Sequence, residues 1–298
     1  MAAYNTIVCY PRRPEANRLV SQVSSGTPTI ALNNGVEMPR LGCGVFRVAD
    51  AESVVAAALQ AGYRLIDTAA SYENESGVGR AIRATDVDRD SLFITTKLAN
   101  SSQGYDTALR AFDESMQRLG LEIVDLYLVH WPMPAKHRYL DTWRAFEQIY
   151  ASGRARAVGV CNFTEEHLRR LTDHSDLVPA VNQIELHPGY PQTALRAANA
   201  SLGVVTEAWS PLGRGAALLN RPEVASIAAA HGRTSAQVVL RWHLEEGHVV
   251  IPKSADPQRL RSNRDVFDFM LTEREHSVLS NLSGPGRVGP DPLTFDEH

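Results

Sequence analysis

Beyond Leu41 the chain alternates short runs of aliphatic and β-branched residues with longer segments in which apolar residues recur at helical spacing. The runs predict strands over Leu41–Phe46, Arg64–Asp67, Leu92–Leu98, Val124–His130, Ala157–Cys161, Ala180–Glu185, Val204–Trp209 and Val249–Ile251. The amphipathic segments predict helices over Ala51–Ala61, Tyr105–Leu119, Leu140–Ala151, Glu165–Thr172 and Ala194–Leu202. Extra helical material follows at Pro222–His231 and Ser235–Glu246, and Thr272–Leu282 comes after the eighth strand. Eight strand-then-helix units without an intervening linker favour a closed parallel α/β structure, a (β/α)₈ TIM barrel, over a doubly wound sheet. Ahead of it, Asn33-Asn34-Gly35 between Thr29–Leu32 and Val36–Met38 has the residue types of a hairpin turn. That hairpin is expected to plug the N-terminal end of the barrel.

Residues 1–26 lack periodicity and end in a Ser/Gly-rich stretch, so they are expected to be a loosely held extension, with the barrel spanning 27–298. The formal charge of −4, without long basic runs, argues against nucleic acid or an anionic membrane surface as partner. Cys9, Cys43 and Cys161 are odd in number and share no CxxC spacing, which disfavours a disulfide framework and a structural zinc site. With no signal peptide or membrane span in view, a cytoplasmic monomer is the expected form.

In such barrels chemistry sits at the C-terminal ends of the strands. There the sequence places Asp67, Lys97, His130, Trp131, Asn162, Gln183, Glu185, Trp209, Ser210 and Lys253. Each alone has a bland alternative as a cap or a solvated charge. No HxH or HExxH supplies metal ligands, so no metal is expected. Gly42-Cys43-Gly44 and Gly213-Arg214-Gly215 are incomplete dinucleotide fingerprints, and no phosphate-binding GxxxxGK[ST] occurs. Glu207 could be one carboxylate of a glycosidase pair, but the fourth strand ends in His130 rather than an acid, and alternation with Trp209 leaves a buried hydrogen-bonded Glu as the other reading. Asp67, Tyr72, Lys97 and His130 remain. A free tyrosine holds its proton too firmly to be a good acid, and a lysine ammonium beside it would lower its pKa while Asp67 keeps the lysine charged. His130 could orient a substrate oxygen. Carbonyl reduction needs such a set, because hydride arriving at carbon leaves an alkoxide to be stabilised and protonated.

These residues carry a family likeness. From Thr29 onward the chain resembles the aldo-keto reductases, in particular the bacterial branch containing 2,5-diketo-D-gluconate reductases. The matching motifs are Gly62-Tyr63-Arg64-Leu65-Ile66-Asp67-Thr68-Ala69 with Tyr72, Asn74 and Glu75; Asp125-Leu126-Tyr127-Leu128-Val129-His130-Trp131-Pro132; Val158-Gly159-Val160-Cys161-Asn162-Phe163; Asn182-Gln183-Ile184-Glu185-Leu186-His187-Pro188; and Ile251-Pro252-Lys253-Ser254. The resemblance implies that Asp67, Tyr72, Lys97 and His130 form a catalytic tetrad with Tyr72 as general acid. It implies NADPH as cofactor, with Asn162 and Gln183 at the nicotinamide carboxamide and Trp209 stacked on the ring. Val45, Phe46, Asp67 and Cys161 would complete that end. Ser210, Leu212 and Arg214 would cover the pyrophosphate, and Lys253, Ser254, Arg259 and Asn263 would take the adenosine end and its 2′-phosphate.

Small aldehydes or ketones of α-dicarbonyl or keto-sugar type are the implied substrates, walled by Phe46, Ser71, Ala99, Trp131, His130 and the C-terminal tail. Ala99 and Cys161 stand where relatives carry Trp and Ser, which should widen the pocket and remove a hydrogen-bond donor. The Gly/Pro-rich tail after Leu282 is expected to leave the rim open and mobile. The alternative function is a cofactor-binding sensor or scaffold with negligible turnover.

Overall fold

In the computed structural model, which describes residues 27–282, 284 and 286–296, the aliphatic runs become strands close to the predicted positions. Strands β1 (Thr29–Ala31) and β2 (Glu37–Pro39) form the antiparallel hairpin. Gly35 takes φ +83° in its turn, and its N–H donates to the Leu32 carbonyl at 2.9 Å. Then come β3 (Gly42–Gly44), β4 (Leu65–Asp67), β5 (Phe93–Leu98), β6 (Val124–Val129), β7 (Ala155–Cys161), β8 (Val181–Glu185), β9 (Val205–Trp209) and β10 (Val249–Val250). Each pairs in parallel with its sequence neighbour, and bridges Leu41–Val250 and Gly44–Lys253 close the sheet on itself. The extension expected at 1–26 lies outside the described residues.

Side chains alternate across a strand, so each barrel strand sends one set of residues inward and one outward. Outward-facing Ile66, Ile94, Tyr127, Val129, Val158, Val160, Ile184 and Ala208 pack against the helices in one large core. Inward, Leu65, Phe93, Leu126, Leu128, Ala157, Val181, Val249 and Ile251 form a second cluster. Met38 from the hairpin joins them, fully buried, as the expected plug. Complete burial of such aliphatic side chains stabilises by roughly 1.5–3 kcal/mol each before entropy is subtracted. The same alternation carries Asp67, Thr95, Lys97, Gln183 and Glu207 inward, one step closer to the C-terminal ends than the apolar cluster.

Helix starts follow local capping chemistry. Thr164 with His167, Thr234 with Gln237 and Thr272 with Glu275 form reciprocal capping boxes, and the Asp50 carboxylate accepts from Ser53 N–H at 3.0 Å. The helix Glu75–Ala84 is absent from the predicted set because Gly77 and Gly79 interrupt its apolar period. Gly79 has a packing reason: a Cβ there would fall 2.1 Å from the Leu119 carbonyl of the helix Tyr105–Leu119. Pro257–Arg264, carrying Arg259 and Asn263, is a further short helix. No helix among the described residues is long and apolar enough to cross a membrane.

Candidate active site

Asp67 ends β4, Lys97 is the penultimate residue of β5, and His130 directly follows β6, so adjacent strands deliver three of the four tetrad residues by register alone. Tyr72 needs a loop. A single helical turn over Ala70–Tyr72 is followed by Glu73 at φ +56°, which reverses the chain into the helix Glu75–Ala84. Two buried polar side chains fix that loop. The Asn74 amide donates to the Val45 and Val48 carbonyls at 2.9 and 3.3 Å and accepts from the Thr68 hydroxyl at 2.7 Å. Glu75 accepts from Thr96 at 2.5 Å and Arg118 at 2.7 Å.

Lys97 is fully buried and its ammonium donates to both Asp67 oxygens, at 2.6 and 2.7 Å, and to the Thr68 carbonyl at 2.8 Å. Burial alone would pull the lysine pKa down, but the adjacent Asp67 carboxylate more than offsets this and holds the charge. The ammonium stands 5.1 Å from the centre of the Tyr72 ring, whose edge contacts are Phe46 at 5.0 Å and His130 at 5.7 Å between centroids. The tetrad is therefore assembled as one cluster.

Its electrostatics differ from expectation at one point. Burial outweighs the Lys97 ammonium and pushes the Tyr72 phenol up to about 12, where the sequence suggested a lowered value. Desolvation penalises the phenolate more than one shared cation can repay, because Lys97 is already neutralised by Asp67. The group is thus a firmly protonated donor at neutral pH. His130 is shifted down to about 3 by burial and by Lys97, so its imidazole is neutral. One ring nitrogen, Nδ1, lies 3.3 Å from the Ser71 hydroxyl.

Around this cluster the remaining predicted residues separate into those at the mouth and those packed away. Asn162, at φ +62° just past β7, donates to the His130 carbonyl at 3.0 Å and accepts from the Trp209 indole N–H at 2.8 Å. A hydrogen bond thus orients the Trp209 ring. Gln183 donates to Asp67 at 2.8 Å and to Glu207 at 2.8 Å, which commits both amide hydrogens and leaves its carbonyl oxygen as acceptor. Ser210, Leu212 and Arg214 follow β9 in a tight loop with positive φ at Ser210 and Arg214. Lys253 and Arg259 are exposed near the barrel's closing seam, while Ser254 and Asn263 are buried there.

Val45 is fully buried, its N–H bonded to the Asp67 carbonyl at 3.0 Å and its carbonyl taken by Asn74, so it presents no side chain to the mouth. Cys161 is buried inside the barrel cluster beside Trp209. Phe46, Ser71, Ala99 and Trp131 all lie at the mouth, and Phe46 is 46% exposed. A groove of about 670 Å³ lined by Met116, Leu121, Ile123 and Gly153 opens at the opposite, N-terminal end of β6, and none of the site residues lines it.

Expected to leave an open rim, the tail lies across the mouth. Glu185 at the end of β8 accepts the N–H groups of Val288 at 2.5 Å and Gly289 at 2.8 Å. Burial would raise this carboxyl, but His187 and those two N–H donors hold it below the usual carboxylate range. Gly289 sits so close to Trp209 that a Cβ would fall 2.3 Å from the indole, and Phe295 packs on Trp131 with ring centres 4.4 Å apart. Sequence reasoning missed this anchor, since backbone donors leave no side-chain signature; only the inward position of Glu185 could have flagged it.

The donor set fits a phosphorylated cofactor. Lys253 and Arg214 make no ion pair among the described residues, and Arg259 has only a 3.4 Å contact with Asp256 on a largely solvated side chain. Three weakly engaged cations at one rim suit an anionic ligand. No group of described His, Cys, Asp and Glu residues is arranged to hold a metal ion.

Comparison with known proteins agrees with this architecture. Residues 34–283 match the Aldo/keto reductase family. An aldo-keto reductase of Mycobacterium sp. (strain JLS) is 53% identical over 91% of this chain and 99% of its own length. A morphine 6-dehydrogenase of Pseudomonas putida is 52% identical, with coverage of 91% and 96%. Among solved structures, a Gox0644 mutant in complex with NADPH superposes with a TM-score of 0.86 at 44% identity, covering 91% of this chain and 99% of that one. The chain belongs to the aldo/keto reductase family and is an oxidoreductase of that class.

Proposed function

We propose that the protein reduces the carbonyl of small aldehydes and ketones, with NADPH as hydride source and Tyr72 as general acid. The observation that carries this reading is the buried contact of Lys97 with Asp67 directly beneath the Tyr72 ring, with a neutral His130 alongside. When bound, NADPH supplies the hydride that the carbonyl carbon receives, becoming NADP⁺. Asn162 and the free carbonyl oxygen of Gln183 would hold its carboxamide, Trp209 its ring, Ser210, Leu212 and Arg214 its pyrophosphate. Lys253, Ser254, Arg259 and Asn263 would take the phosphorylated adenosine. His130 directs the substrate oxygen toward Tyr72 through a ring N–H. Tyr72 gives its proton to the developing alkoxide, a far stronger base than a phenolate, and the Lys97 ammonium stabilises the phenolate left behind. Tyr72 is partly exposed, so solvent can restore the proton.

Small α-dicarbonyls and keto-sugars suit the polar end of the mouth, while Ala99 leaves space for bulkier ketones. The similarity to a morphine 6-dehydrogenase supports including ring ketones among the trial substrates. The test is loss of NADPH absorbance with such a panel, for the wild type and Tyr72→Phe. Substrate-dependent oxidation that falls at least about a hundredfold in the variant is expected, in line with general acid contributions. Tight NADPH binding with equal, negligible rates in both proteins would instead identify a sensor or scaffold.

A further inference from the structure

Beneath the tetrad lies a second buried carboxyl that the reduction does not use. Glu207, from the middle of β9, is fully buried and points into the barrel. Its Oε2 accepts from the Gln183 amide at 2.8 Å, and that same amide nitrogen donates to Asp67 Oδ2 at 2.8 Å. One NH₂ group therefore bridges two carboxyl groups. Glu207 Oε1 is buried with no hydrogen-bond partner, as is the Thr95 hydroxyl on the inward face of β5. The titratable groups that act on Glu207 are Asp67 from β4, Lys97 from β5 and Cys161 from β7, and the first two also act on Tyr72 in the loop after β4. Lys97 is the single cation among them, and its three hydrogen bonds go to Asp67 and the Thr68 carbonyl.

A buried carboxylate with no cation of its own and one empty oxygen is too costly to keep, and in such sites the group takes up a proton instead. We infer that Glu207 is a positioning residue held protonated inside the barrel. It keeps Lys97 and Asp67 as the only charges under Tyr72, and its ionisation shuts reduction down on the alkaline side. Burial and the nearby Asp67 indeed push the Glu207 carboxyl up to about 8. When Tyr72 surrenders its proton, the interior gains one negative charge next to Lys97. With Glu207 neutral that charge is the only excess. With Glu207 ionised it is the second, in the same desolvated layer, so proton donation becomes harder. The phenol itself lies too high to produce a transition near pH 8. Both partner positions were legible as polar strand residues, but their sharing of one amide is a property of the closed barrel.

The inference rests on the reductase reading only in its kinetic arm, so the first arm avoids turnover. Infrared difference spectra of wild-type protein labelled with ¹³C-glutamate should show a protonated carboxyl band at pH 7 that disappears on titration to about pH 9, and that Glu207→Gln lacks. A carboxylate at pH 7, with no protonated glutamate band in the labelled wild type, would overturn the inference, and that outcome is read without the variant. In the second arm, wild-type kcat for carbonyl reduction should fall by about tenfold per pH unit above that transition. Glu207→Gln, whose amide oxygen can still accept from Gln183, should keep its kcat flat across the same range with little change in KM. Superimposable pH profiles would overturn the inference. An inactive wild type with the infrared transition intact would instead count against the reductase reading alone.

Discussion

Replacing Lys97 with methionine separates the structural from the chemical role of the buried ion pair. Lys97 has no exposed surface and Asp67 is 2% exposed, so the substitution removes the cation from a carboxylate that water cannot reach. Asp67 would keep one donor, Gln183 at 2.8 Å, in place of three, and the Thr68 carbonyl would lose its partner. Breaking a buried pair by removing one member costs about 3–5 kcal/mol, chiefly because the other charge is left uncompensated. The orphaned carbonyl adds about 1 kcal/mol. A total near 4–6 kcal/mol is a large share of the stability of an ordinary domain, about 5–15 kcal/mol. Removing both charges in Asp67→Asn/Lys97→Met should recover most of it, to within about 2 kcal/mol of wild type, since swapping a whole buried pair for neutral groups is often close to neutral. Denaturant unfolding of cofactor-free protein at pH 7, followed by two probes to check cooperativity, measures both differences. A single variant that loses less than about 1 kcal/mol, or a double variant no more stable than the single, would refute the argument that Lys97 is the buried counter-charge of Asp67.

Lys253→Ala with Arg259→Ala should weaken NADPH by at least about tenfold while NADH changes little, as expected for the loss of charged phosphate partners; fluorescence titration that shows equal weakening would disprove the 2′-phosphate assignment. Burial lowers His130 and His243 to about 3 and His248 well below its ordinary value. The unfolded chain therefore binds more protons than the native one below the ordinary histidine value of about 6.5, and each group removes up to about 1.4 kcal/mol per pH unit as pH falls from there. Unfolding free energies that stay constant between pH 6.5 and 4.5 would contradict this, since three such groups act in the same direction. Glu185→Ala should release the tail, seen as faster hydrogen exchange at the Val288 and Gly289 amides; unchanged protection there would show that Phe295 and Trp131 alone hold it.

Most of the barrel was readable because a parallel strand covered on both faces is a nearly continuous apolar run, and a helix lying on it shows a 3.6-residue period. Tyr105–Leu119 and Glu165–Thr172 fall where the period places them. Glu75–Ala84 does not, because Gly77 and Gly79 are set by close approach to Glu52 and Leu119, and a contact across the fold leaves no periodic trace. The two glycines break the local helical period and are required globally by the packing of helices. The tail shows the converse. Its Gly284, Gly286 and Gly289 suggest freedom, yet Gly284 packs against Gly189 and Gly289 against Trp209, so the missing side chains make room for contact.

At the site, residue identity was more legible than state. Strand alternation points Asp67, Lys97, Gln183 and Glu207 to one interior, so their meeting follows from register once the barrel is assumed. Charge does not follow, because each group's ionisation depends on how many donors are left after the others are served. Burial raises the Tyr72 phenol by more than the Lys97 ammonium lowers it, and the Asp67 carboxylate that Lys97 serves pushes the same way as burial. Gln183 spends both amide hydrogens on carboxyl groups, which leaves only its oxygen to face the mouth. In the sequence Glu207 read either as a hydrolytic acid or as a buried hydrogen-bonded carboxyl on the same strand face as Trp209. Inside the barrel it receives one hydrogen, from Gln183, while its other oxygen has none, and that shortage, rather than its sequence position, is what makes it hold a proton.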